Sequence, residues 1–325
     1  MDPLPGDSHI LVLNHNGLDL LAECLSSVVL AARRSPWLCR VSVVDNESTD
    51  GSLAYLAEHW PEVGVIPAPN RGLASFNVVV EGLDEPVILL LNNDVKLDPD
   101  CVGPLAASVR DHPDALFSAP SCWTFDGLTY EGMRTRVRSR FGMVQGLCRV
   151  PGHEAKVDQA DLTASSGPIL AVDRAKFLAL GGYDPVFFPG RIEDLDLGFR
   201  GWMAGWRGYY VPEAVAYHRG FGSFGPAFGK AGCDRLATRN TLIFAWKNFG
   251  GRRLAGHLAW LPVRVAFALG SGRVGFLGAL ADAIGKLGEV AASRRRLAVG
   301  LGDWVDRQES FFERFGFDPA SESPR

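Results

Sequence analysis

The chain has 325 residues, 47% of them apolar and 22% charged, and a net charge of −4. That length can bury a substantial core, the composition excludes a disordered or low-complexity chain, and the charge excludes a global pull toward nucleic acid. Cys24, Cys39, Cys101, Cys122, Cys148 and Cys233 are scattered with no CxxC pair, which excludes a zinc-ligand spacing or a dense disulfide frame, and they read as reduced and mostly buried.

In chain order, His9 to Leu13 is a short apolar run leading into Asn14, His15, Asn16 and Gly17, a buried strand followed by a polar loop. Leu20, Leu21, Cys24, Leu25, Val28 and Val29 recur at helical spacing. Val41 to Val44 reads as a second strand ending at Asp45, Ser48 to Trp60 as a helix, and Val63 to Ile66 as a third strand. Leu73 to Leu83 reads as a helix, and Val87 to Leu91 as a fully apolar strand that runs into Asn92, Asn93 and Asp94. Strands alternating with helices at this spacing predict a mostly parallel sheet with helices on both faces. Such sheets bind ligands at the carboxyl ends of their strands, where Asn14, Asp45 and Asn92–Asp94 all fall.

Beyond residue 100 the pattern is less regular, with Pro104, Pro113 and Pro120, and the Arg-rich stretch from Arg134 to Arg149 reads as a mobile loop or short strands. Ser165 to Val172 predicts a strand, Arg174 to Leu180 a helix, and Glu193 to Ala204 a helix closed by Gly205. After Arg252, Leu254, Leu258, Leu261, Val265 and Leu269 recur at helical spacing with arginines beside them, an amphipathic helix. Residues 252–296 hold eight Lys or Arg against Asp282 and Glu289. Pro262 and Arg264 interrupt the most apolar stretch, short of the roughly 20 apolar residues that span a bilayer. Met1 to Ser8 has no charged segment followed by an apolar one, so a cytoplasmic chain without a transmembrane helix is expected.

Asn92, Asn93 and Asp94 deliver two amides and a carboxylate at a strand end, which suits magnesium or manganese completing its shell with phosphates and water. A strand-end turn accounts for the same residues. Glu193, Asp194 and Asp196 either favour a helix N-terminus or, facing a cleft, supply a general base whose pKa its neighbours raise. His218 alone is a packed residue as readily as a metal ligand. Ser48, Thr49 and Asp50 are helix caps, whereas Asp45 and Asn46 precede the cap and remain free to meet a nucleotide. Gly72 permits either a close approach or a turn.

In order, LVLNHNG from Leu11, VVDNESTDGS from Val43, NRGLASFN from Asn70, LLLNNDV from Leu89, SSGPILAVDRAKFLALGGYDPVFF from Ser165, EDLDLGFR from Glu193 and VPEAVAYH from Val211 resemble the inverting family 2 glycosyltransferases. The likeness is greatest to the rhamnosyltransferase-like branch of cell-surface polysaccharide assembly. The resemblance covers about residues 8–220. It implies an α/β GT-A fold with a Rossmann-like, mostly parallel sheet plus a C-terminal helical segment. Residues 1–250 would form the transferase domain, 1–100 holding the nucleotide-sugar and 101–250 the acceptor, with 251–325 helical. It implies nucleotide-sugar contacts from Asn14, Asp45, Asn70, Gly72, Asn92 and Asn93. It further implies Mn2+ or Mg2+ at Asp94 and His218 with Asn92 in place of the first Asp of the family's Asp-x-Asp motif, Asp194 as base, Glu193 as its support, and a structural Asp196. The donor would be a dTDP-, UDP- or GDP-sugar and the acceptor a glycan or lipid-linked glycan, with no nucleic acid partner.

Residues 252–296 lie outside that resemblance and read equally as a helical subdomain or as a surface resting peripherally on the inner face of an anionic membrane. Two rivals to a transferase are a non-catalytic nucleotide-sugar-binding partner protein and a nucleotidyltransferase. The latter lacks a Gly-rich basic loop near the N-terminus.

Overall fold

The computed structural model describes residues 7–220, 224–296 and 301–317. The first half alternates as the sequence predicts: β1 (Ser8–Asn14), α1 (Leu18–Arg34), β2 (Cys39–Asp45), α2 (Ser52–His59), β3 (Gly64–Pro67), α3 (Ser75–Glu81), β4 (Val87–Asn92) and the short β5 (Val95–Leu97). α4 (Val102–Asp111) then leads into β6 (Ala115–Thr124), β7 (Tyr130–Gly132), the pair β8 (Arg136–Arg140) and β9 (Met143–Leu147), β10 (Asp161–Leu162) and β11 (Ile169–Asp173). α5 (Arg174–Ala179), α6 (Glu193–Met203) and β12 (Arg207–His218) follow. The helices α7 (Phe224–Asn248, broken at Gly229), α8 (Gly251–Gly270), α9 (Val274–Gly285), α10 (Leu287–Arg296) and α11 (Leu301–Phe315) end the fold.

The main sheet runs in the order β10-β12-β6-β11-β4-β1-β2-β3. β4, β1, β2 and β3 are parallel, β11 is antiparallel to both its neighbours, and β12 is parallel to β6. Alternation along each strand sends side chains to opposite faces. Ile10, Val12, Val43, Leu89 and Leu91 pack under α1 and α4, while Leu11, Val44, Ile88 and Leu90 pack against Phe76, Phe117 and Phe177. Six of the seven buried α1 residues are Leu, Val or Ala, and Cys24 is the other, which places the helix's apolar stripe on the sheet.

The second half departs from the sequence reading in ways proline explains. β6 is a central strand although it carries Pro120, because β12 bulges there: Val211 pairs with Pro120 and Val215 with Ser121, so residues 212–214 loop out. A proline donates no ladder hydrogen bond, and a bulge accommodates that loss. Pro104 sits in the first turn of α4, where its missing N–H has no helical partner to lose. The Arg134–Arg149 stretch takes the short-strand alternative of its sequence reading, as the antiparallel hairpin β8–β9, and the strand expected from Ser165 begins at Ile169.

The C-terminal helices share a core with α6. Phe199 of α6 stacks edge-to-face on Phe244, Trp304 and Phe311, and Phe315 packs on Trp202. Among the described residues no helix is long and apolar enough to cross a membrane.

Candidate active site

The carboxyl ends of β1, β2 and β4 form one polar rim. Gly17 allows it to close: a Cβ there would lie 2.1 Å from Asn93 Nδ2 and 2.6 Å from Asn14 Oδ1. In the space this leaves, Asn93 Nδ2 donates to Asn14 Oδ1 at 2.7 Å, and Asn14 Nδ2 donates to Ser48 Oγ at 3.2 Å. Asn14 is 0% exposed and Asn93 is buried. These bonds make the two amides braces of the rim, the part of it where a nucleotide-sugar contact is expected. Asp45 differs. Its Oδ2 accepts from the Ser48 backbone N–H at 3.2 Å, but its buried Oδ1 has no hydrogen-bond partner, and neither does Asn46 Oδ1. Buried acceptors left unpaired are costly, so these two atoms are the rim's candidates for a ligand donor.

Asn70 shapes the next loop, its Oδ1 accepting from the Gly72 backbone N–H at 3.3 Å. Gly72 has φ +59, and a Cβ there would meet the Pro189 carbonyl oxygen at 2.8 Å. The glycine is thus required both by a left-handed turn and by a close approach, which is to the chain's own 188–190 segment. Arg71, Tyr183, Phe188 and Glu193 line the crevice this forms.

The antiparallel pairing of β12 with β5 sets His218 opposite Val95 and brings its ring beside Asp94. His218 Nε2 lies 3.5 Å from Asp94 Oδ2, and Nδ1 lies 2.8 Å from Glu131 Oε2 on β7. Burial works against a charge on His218, but the hydrogen bonds to Asp94 and Glu131 outweigh it and raise its pKa to about 9. Asp94 is buried and its Oδ1 has no hydrogen-bond partner. Among the described residues no group of three or more His, Cys, Asp or Glu side chains forms a metal cage. Asp94 and His218 make a two-ligand set, with Asn92 half-buried at the adjoining strand end. That fits a hard divalent ion whose remaining positions go to phosphate and water, and the orphaned Asp94 Oδ1 is the atom such an ion would satisfy. Sequence reasoning missed Glu131, which lies on a three-residue edge strand without a motif.

The residues 165–168 connect this end of the site to α6. The Asn92 backbone N–H donates to the Pro168 carbonyl at 3.0 Å, and Ser165 Oγ donates to Asp194 Oδ2 at 2.7 Å. Gly198 sets α6 against this loop, because a Cβ there would lie 2.1 Å from the Ala164 carbonyl oxygen. Beside Asp194, Glu193 keeps its Oε2 buried without a hydrogen-bond partner. Burial, with the neighbouring Asp194 charge added, pushes the Glu193 pKa up to about 8. Asp196 points the other way. At 0% exposed, it accepts from Lys247 Nζ, Arg200 Nε and Asn248 Nδ2, each at 2.7 Å, and ties α6 to α7. Ser165 was quoted within a sequence motif but not singled out, and only the folded loop reveals its aim.

The family model for glycosyl transferase family 2 matches residues 9–155. That match, over rather less than half of the chain, supports a family 2 glycosyltransferase. The chain is 29% identical over 222 residues to the N-acetylglucosaminyl-diphospho-decaprenol L-rhamnosyltransferase of Mycobacterium tuberculosis, an alignment covering 61% of this chain and 71% of that one. The crystal structure of GalNAc-T7 with UDP, GalNAc and Mn2+ superposes with a TM-score of 0.53 at 20% identity, covering 65% of this chain and 43% of that one. Staphylococcus aureus TarS 1–349 in complex with UDP-GlcNAc superposes with a TM-score of 0.53 at 15% identity, over 94% of this chain and 90% of that one. The transferase fold is GT-A, and the polar rim lies at the carboxyl ends of its parallel strands.

Proposed function

We propose that the transferase moves a sugar, of the hexose or deoxyhexose class, from a nucleotide-diphosphate donor to a hydroxyl of a glycan or lipid-linked glycan, inverting the anomeric centre. The observation that carries this reading is the 165–168 loop, which joins the Asp94–His218 end of the site to Asp194 through Asn92 and Ser165. Asp45, Asn46 and the Asn70–Gly72 turn hold the nucleoside. Asp94 and His218, with Asn92, hold Mn2+ or Mg2+. When bound, the ion neutralises charge developing on the departing diphosphate.

Asp194 acts as general base. It takes the acceptor's proton as the hydroxyl oxygen attacks the anomeric carbon from the face opposite the diphosphate, so no covalent sugar–enzyme intermediate is needed. Ser165 fixes the carboxylate's orientation by donating to Oδ2, which leaves Oδ1 to take the proton. Glu193, with its pKa near 8, holds its own proton at neutral pH. Residues 252–296 are the part of the chain assigned to peripheral membrane contact, where a lipid-linked acceptor would be met.

The reading is tested by incubating the purified chain with UDP-, GDP- and dTDP-sugars in Mn2+, Mg2+ or EDTA, measuring nucleoside diphosphate release and thermal stabilisation. One donor class should stabilise and be slowly hydrolysed, with EDTA abolishing both effects. Metal-independent turnover would overturn the metal assignment. A full panel giving neither stabilisation nor release would overturn the donor assignment.

A further inference from the structure

An apolar groove of about 720 Å³ lies between α8 and α9, lined by Trp246, Leu258, Leu261, Val265, Leu280 and Ile284 among others, and every residue lining it is apolar. Sugar and nucleotide sites need polar groups to satisfy hydroxyls and phosphates, so its chemistry admits hydrocarbon and excludes both. The groove continues onto an exposed helix face. Leu258, Val263, Phe267 and Leu269 of α8 are all at least half exposed, and Val274 at the start of α9 is 73% exposed. A soluble surface seldom leaves so contiguous an apolar patch without a use.

The charges on α8 have one sign. α8 contains Arg252, Arg253 and Arg264 and no acidic residue. Exposed Arg252 and Arg273 stand at its two ends. Between them the β8–β9 tip is fastened to the helix: Phe141 packs on Trp260 at 4.7 Å, and Arg264 donates to the carbonyls of Arg140 and Phe141 at 3.1 Å. Gly142 makes this fit possible, because a Cβ there would lie 2.6 Å from His257 Cα. The tip therefore adds an exposed arginine, Arg140, and one aromatic ring, Phe141, which packs on Trp260 of α8 beside the apolar face.

We propose that α8, its groove and the β8–β9 tip form a lipid-docking surface. α8 lies in the plane of an anionic bilayer, the groove receives hydrocarbon chains of the lipids beneath it, and Arg140, Arg252 and Arg273 meet their phosphates. Apolar area flanked by arginines and aromatic rings matches the layered chemistry of a membrane interface. A second copy fits less well. Two such faces related by a two-fold axis would set arginines near arginines with no carboxylate on α8 to pair them. The inference rests on the proposed transferase reading only for its purpose, which is to meet a lipid-linked acceptor.

The test floats the full chain with vesicles of phosphatidylcholine alone and of phosphatidylcholine with phosphatidylglycerol, at low and high salt. The chain should rise with the anionic vesicles and be partly released by salt. The double variant Leu258→Glu/Phe267→Glu should lower partitioning about tenfold or more, since it places charge in the buried face. Arg252→Glu/Arg273→Glu should lower it and remove its salt dependence. Donor hydrolysis in vesicle-free buffer should match wild type for both, so a failure of docking is read separately from a failure of the transferase assignment. A wild-type chain that stays with neither vesicle, or apolar-face variants that float as wild type does, overturns the proposal. So does a dimer in sedimentation that Leu258→Glu/Phe267→Glu dissolves, which would give the face to a second copy.

Discussion

Ser165 Oγ donates a 2.7 Å hydrogen bond to Asp194 Oδ2, across 29 residues of chain, from a side chain that is 4% exposed. A hydroxyl so placed has little freedom to do anything else, and it holds the carboxylate in one rotamer. Ser165→Ala removes that restraint without changing charge. A neutral hydrogen bond to a charged group contributes about 1.5 kcal/mol or somewhat more, so kcat should fall about tenfold with the donor KM little changed. Steady-state kinetics check this, and Ser165→Thr, which keeps the hydroxyl, should recover much of the loss.

Glu193 gives a pH signature in stability. Its folded pKa of about 8 lies above the ordinary carboxyl value, so the folded state binds the proton more tightly than the unfolded state does. Its presence therefore becomes steadily more destabilising as pH rises from about 4.5, the unfolded value, to its folded pKa, and the effect levels off above that. Glu193→Gln should raise Tm relative to wild type by a margin that is small at pH 5, grows toward pH 8 and is then constant. Thermal melts across that range measure it.

Asp196 sits on the same helix as Asp194 but belongs to the fold. It is ringed by Lys247, Arg200 and Asn248, and Lys247 also reaches Asp184 at 2.8 Å. Removing one member of a buried charge network strands the others and costs about 3 to 5 kcal/mol. Asp196→Asn should lose stability on that scale in urea denaturation, whereas Asp194→Asn should not.

Glu131 orients His218 from behind. Carboxylate partners of this kind tune metal affinity about 10- to 100-fold. Glu131→Gln should weaken Mn2+ binding, read by electron paramagnetic resonance titration of free Mn2+, by a factor in that range while the far-ultraviolet circular dichroism stays that of wild type.

Legibility of the sequence followed the physics of each segment. β1 and β4 stand out because they are buried on both faces and contain unbroken apolar runs, and β2 through its buried Val43–Val44 end before Asp45. β6 and β12 do not, because Ser118, Pro120 and Ser121 interrupt one and the bulge at residues 212–214 interrupts the other. Asp94, Asp194 and His218 are the residues that the order of motifs singles out. Glu131 is not among them, since its role exists only once β7 pairs with β6 and faces β12. Charge counting in residues 252–296 misled in a different way. Arg253 pairs with Glu309 at 2.7 Å, Lys286 with Glu289 at 3.0 Å, and Arg294 donates to the carbonyls of Trp246 and Lys247, so much of the apparent basic excess is internal. What the surface presents is apolar area with a few arginines at its margin.

The central claim is that Asp194 takes the proton. Asp194→Asn keeps the size of the side chain and removes its basicity, so kcat should fall by about 10² to 10⁴ while calorimetry gives donor and Mn2+ affinities within about twofold of wild type. An Asp194→Asn protein that turns over within a few-fold of wild type would contradict the account and move the base elsewhere in the site.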